Sequence, residues 1–156
     1  MDNIFSGIDT VTANQDLQKQ YFLPGQYRVR LENVLVHKKR LGGHIFIAET
    51  TVLESDNPEI KPGELRNWVQ PLEVDAAMPR IKCFIGATQG LDPKRQIDAI
   101  NKNVTQKLCE SVVLNEISIK NVELRLECFN KRSIRTGKDF TLHIWGPTED
   151  KNLTEN

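Results

Sequence analysis

The residues able to do chemistry in this 156-residue chain are scattered, and their spacing argues against catalysis. His37, His44 and His143 form no paired ligand spacing with one another or with Cys83, Cys109 and Cys128, so no metal site follows from them. Glu49, Glu54 and Asp56 lie along a strand end and loop with no base-lysine motif beside them, and no glycine-rich phosphate cradle or nucleophile elbow occurs. The chain therefore reads as non-enzymatic, with no cofactor. What stands out is local positive charge. HKKRLGG carries Lys38, Lys39 and Arg40, and NKRSIRTGK carries Lys131, Arg132, Arg135 and Lys138. Segments of this kind can capture a polyanion electrostatically.

The totals sharpen that point. Lys plus Arg and Asp plus Glu are both 21, a net charge of zero, so bulk attraction is excluded and any polyanion site must be a patch. No apolar run approaches the ~20 residues that span a bilayer, and no membrane association is expected. MDNIFSGIDT has acidic charge and no long apolar core, unlike a secretory signal. Three widely spaced cysteines in apolar contexts suit buried thiols in a reducing cytoplasm.

The elements that must position the basic segments follow from periodicity. From Gly25, Tyr27, Val29 and Leu31 alternate with Arg28, Arg30 and Glu32, the two-residue period of a half-buried strand. Gly42-Gly43 permits a tight reversal, and His44 to Leu53 resumes as a strand apolar on both faces. The result is a long hairpin with a basic tip. ESDNPEIKPG is a loop by composition, and Leu65 to Leu72 reads as a third strand, with Pro71 ending it or placing it at an edge.

Helical spacing then takes over. Pro79 suits a first turn, Ile81, Phe84 and Ile85 give a stripe, and Gly90 is a stop. Asp92-Pro93 suggests a second start, and Asn103 with Gln106 resembles a capping box for a third helix ending near Leu114. Strand character returns at Ile117 and is clear from Val122 to Phe129; Gly137 supplies a turn, and Phe140, Leu142 and Ile144 alternate with Thr141, His143 and Trp145. Residues 1–147 thus form a single domain, with 1–24 a lead-in and 75–115 a helical insertion. Thr12 or Asn14 would cap a short helix through Gln20, and the polar tail 148–156 reads as disordered.

Strand, strand, strand, helical block, strand, strand is the element order of the OB-fold. That fold is a five-stranded, partly open barrel whose strands 2–3 and loops 1–2 and 4–5 bind oligonucleotides or oligosaccharides. The expected class is mainly β, an OB-like barrel with a helical block between strands 3 and 4. The two basic segments fall on the two binding loops. Single-strand binders pair cationic grooves with stacking rings. Trp68 and Trp145 are the expected rings, followed by Phe46 and Phe129. For each ring a core position stands beside the groove position, and Phe46 divides evenly between them. Arg66 and Arg125, on polar strand faces with Arg28 and Arg30, would contact phosphates or bases. The expectation is geometric: both turns flank one concave wall that carries the tryptophans.

The segments GQYRVRLENVLVHKKRLGGHIFIAETTVLESDNP, KPGELRNWVQPL, IKCFIGATQGLDP and DFTLHIWGP resemble a family of small tailed-bacteriophage proteins, regarded as OB-fold single-stranded DNA-binding proteins. The resemblance covers most of residues 21–146 and brings no residue-level motif. It implies a sequence-tolerant single-stranded DNA binder in phage replication or recombination, in the bacterial host cytoplasm, with replication or recombination proteins as further partners. A non-catalytic virion or host-interaction module on the same barrel is the alternative. A metal-dependent nuclease ranks last, and homo-oligomerisation is left open.

Overall fold

β1 (Gly25–Lys38) and β2 (His44–Ser55) form the expected hairpin in a computed structural model that describes Asp9 and residues 21–148. Tyr27, Val29 and Leu31 face the core, but the next buried residue is Val34 rather than Asn33. A β-bulge between Leu31 and Asn33 inserts the extra residue that shifts the phase. A second bulge, at Arg28/Val29, adds to the bend. β1 can therefore pair with β2 from Tyr27 to Lys38 while its first half, Gly25 to Arg30, also pairs with β4 (Glu123–Arg132).

With β3 (Leu65–Pro71) and β5 (Asp139–Pro147), the strands make one five-stranded antiparallel sheet in the order β3-β2-β1-β4-β5. The sheet is not closed by hydrogen bonds: β3 and β5 are its two edges. Curling brings those edges together through side chains. Trp68 of β3 lies 5.6 Å from Trp145 and 6.1 Å from His143 of β5, ring centre to ring centre.

Three helices are present among the described residues, all between β3 and β4: α1 (Ala77–Thr88), α2 (Ile97–Asn103) and α3 (Gln106–Val113). In α1, Ile81, Phe84 and Ile85 fall on one face at helical spacing and are buried. Phe84 then plugs the curled sheet, 4.9 Å from Trp145, 5.4 Å from Trp68 and 5.7 Å from Phe46. The contacts with Trp145 and Phe46 are edge-to-face, and such pairs add about 0.5–1.5 kcal/mol each beyond their burial.

Three sequence expectations shift. Asp92-Pro93 opens a turn rather than a helix: the Asp92 carboxylate accepts the Lys94 amide at 3.0 Å, and α2 starts at Ile97. The cap of α3 is Thr105, whose hydroxyl accepts the Leu108 amide at 3.2 Å, so the Asn103–Gln106 pair is no capping box. β4 begins at Glu123 rather than near Ile117. The helix expected to end at Gln20, and residues 149–156 of the tail, lie outside the described residues. No helix among the described residues is long and apolar enough to cross a membrane.

Candidate nucleic-acid interface

Each basic segment is a turn closed by its own backbone. Between β1 and β2, the Lys39 amide donates to Gly43 O at 2.9 Å and the Gly42 amide to Lys39 O at 3.1 Å. Gly42 and Gly43 take φ of +99° and +86°, which residues with a Cβ rarely adopt. Between β4 and β5, the Ser133 amide donates to Lys138 O at 2.9 Å and Gly137 takes φ of +69°.

The charges are not all equally available. Glu73 anchors the first turn by accepting the His44 amide at 2.7 Å and Lys39 Nζ at 3.4 Å. Backbone amides, its own and that of His44, hold the Glu73 carboxyl below its ordinary pKa, with Lys39 adding to the effect. Arg132 pairs with Asp139 at 3.3 Å, both well exposed. Lys38, Arg40, Lys131, Arg135 and Lys138 project into solvent.

On the flattened ladder the two turns leave opposite ends of the sheet, because Lys38 ends β1 while β4 pairs with β1 only at its start. The curl changes this. A groove of about 410 Å³ runs along the β3/β5 seam, lined by Gln70, Pro71 and Val74 on one side and Ser133, Phe140 and Thr141 on the other. Pro71 sits opposite Ile45, one residue past the end of the first turn, and Ser133 opens the second. The bases of both basic turns therefore border one groove.

Arg80 of α1 reaches into it. Its guanidinium lies 5.6 Å from the centre of the Phe140 ring and donates to Gln70 Oε1 at 3.3 Å. Phe140, 37% exposed, is cross-strand to Lys131; the next pair on that face is Phe129, 41% exposed, with Leu142. Two rings and a lysine thus share one face of the β4–β5 hairpin.

The tryptophan wall does not exist. Trp68 and Trp145 are each 3% exposed and Phe46 is 2% exposed; all three belong to the core. Trp68 points inward because it lies in the cross-strand row Val34–Ala48–Trp68, where the small alanine leaves room for an indole. Trp145 points inward because it pairs with Leu126, whose face is fixed by the core positions Leu124, Leu126 and Cys128. Arg66, 4% exposed, is also on the inner face, held by Glu64 Oε2 at 2.7 Å and Tyr21 O at 3.0 Å.

Arg125 is half exposed but structural: it donates to Pro147 O at 2.7 Å and pairs with Asp92 at 3.5 Å. It lies directly opposite Arg28, whose charge is matched by Glu54 at 3.0 Å and by Glu123. Of the expected rings, only Phe129 faces outward. Arg80 and Phe140 were not among the expected contacts. β5 is apolar on both faces, so its sequence alone does not say which parity faces out.

His143, which also lines the groove, is driven by burial down to a pKa of about 4, with Arg80 pushing the same way and a hydrogen bond to the Thr141 backbone opposing. It is neutral at pH 7. Its Nε2 and the Trp145 Nε1 are buried with no hydrogen-bond partner among the described residues. Among those residues no group of three or more His, Cys, Asp or Glu is placed to hold a metal ion. No protein-family model matches the chain, and no curated protein does.

Proposed function

We propose that the chain is a non-catalytic, sequence-tolerant single-stranded DNA-binding protein built on an OB-type barrel, acting in phage replication or recombination. The observation that carries the reading is the seam groove. It is bordered by the bases of both basic turns and holds an arginine stacked on an accessible phenylalanine. Phosphates would be met by Lys38, Arg40, Lys131, Arg135 and Lys138, and bases by Phe140, Arg80 and Phe129. Rings that stack on bases and cations that track the backbone are the two requirements of a single-strand site. The strand order, with β1 shared between β2 and β4 and the helices inserted before β4, suits the OB assignment.

The test is a titration of fluorescein-labelled oligo-dT by anisotropy at two salt concentrations, with a duplex of equal length as comparison. Tight binding to the single strand, weaker binding to the duplex and a steep loss with salt are expected. Salt-independent binding, or preference for the duplex, would sink the reading.

A further inference from the structure

We propose that Leu41 and Ile134 are paired wedges that insert between stacked bases, giving the chain a duplex-opening activity beyond strand holding. This rests on the nucleic-acid reading above. Of the large apolar residues with exposed side chains, these two alone among the described residues are fully open to solvent; the next, Leu65, is 70% exposed. A single exposed aliphatic residue needs no explanation. The positions of these two do. Leu41 stands at the apex of the β1–β2 turn, directly after Lys38, Lys39 and Arg40. Ile134 stands in the β4–β5 turn between Arg132 and Arg135.

Both turns are closed by their own backbone hydrogen bonds, so each side chain is carried on a short fixed support. Leaving such a side chain in water forgoes about 1.5–3 kcal/mol of possible burial. The cations that precede Leu41, and those on either side of Ile134, would grip phosphates and bring each aliphatic tip to the level of the neighbouring bases. Leu and Ile are among the side chains that architectural DNA-binding proteins drive between base steps to unstack them. Apolar tips beside cations also suit an anionic lipid surface. The nucleic acid is favoured because the turns that carry the tips have their bases on a groove holding a guanidinium over an accessible ring, which a bilayer has no use for.

The experiment compares the full chain with a Leu41→Ser/Ile134→Ser variant on three probes. These are labelled oligo-dT, a fluorophore–quencher DNA hairpin with a 2-aminopurine in its stem, and phosphatidylserine vesicles. The unmodified chain should open the hairpin and raise 2-aminopurine emission. The variant should keep its thermal midpoint and bind oligo-dT within about threefold, yet lose tenfold or more in hairpin opening. A variant that opens the hairpin as well as the unmodified chain overturns the wedge and leaves the strand-binding reading standing. Vesicle binding that depends on the two side chains, with hairpin opening unchanged, overturns it in favour of lipid. Failure of the unmodified chain to bind oligo-dT defeats the strand-binding reading itself.

Discussion

Burial decides what each aromatic side chain can do. Trp68, packed between Ala48 and Phe84, is a core residue, so Trp68→Ala should cost about 3–5 kcal/mol of stability, read as a lower urea midpoint. Phe140 is where a stacking loss belongs. Phe140→Ala should weaken oligo-dT binding about tenfold, within the 1–3 kcal/mol of one stacked base. The salt slope should not change, since no cation is removed; a changed slope would mean the ring only props up its basic neighbours. His143 gives a pH signature of the fold. Its folded pKa lies near 4 against about 6.5 unfolded, so between those values the unfolded chain binds more protons and stability falls as pH drops. Above pH 6.5 the contribution is flat. Between pH 7.5 and 5 the loss from this group should be about 2 kcal/mol by urea titration, and His143→Gln should remove most of that dependence.

Elements differ in how plainly their sequence announced them. The β1–β2 hairpin, the loop at 54–63 and the helical block follow from alternation, Gly42-Gly43 and the change to a helical period, and the structure has all three, with the loop starting only at 56 because β2 runs on through Ser55. Facing was legible only where one parity was polar. β4 has Leu124, Leu126 and Cys128 against Glu123, Arg125 and Glu127, and it faces as that pattern says. The edge strands do not: in β3 Arg66, Trp68 and Gln70 are the buried set, and in β5 His143 and Trp145 turn inward past Leu142 and Ile144. Their facing is imposed by the partner strand, through Ala48 and Leu126, and that lies outside the local sequence. Helix packing offers a test at this scale. A Cβ on Gly86 of α1 would meet Ile100 Cγ1 of α2 at 2.8 Å, and Ile100 is fully buried. Overpacking costs about 1–3 kcal/mol and outweighs the roughly 1 kcal/mol that alanine gains in a helix. Gly86→Ala should lower the thermal midpoint, whereas in an Ile100→Ala background the same change should raise it. Additive effects of the two would show that α1 and α2 are not packed through this contact.

The whole molecule is neutral, so binding to a polyanion must come from the arrangement of its charges. Acids engage many of the cations: Arg28 with Glu54 and Glu123, Arg66 with Glu64, Lys94 with Glu127, Arg125 with Asp92. The two turns carry exposed cations, as Lys61, Lys102, Lys107 and Lys120 do elsewhere, and the curl of an unclosed sheet is what brings the bases of both turns to one groove. That convergence has a measurable consequence. On a single strand each phosphate neutralised contributes about 0.7 to the slope of log affinity against log salt. Lys38→Gln/Arg40→Gln should reduce the slope by about 1.4, and Lys131→Gln/Arg135→Gln/Lys138→Gln by about 2.1. If both turns hold the same strand, the five changes together should reduce it by about 3.5, and the gain in affinity with oligonucleotide length should level off only once the strand spans both turns. Should one set of changes leave the slope untouched, that turn does not touch the strand and the groove has a single jaw.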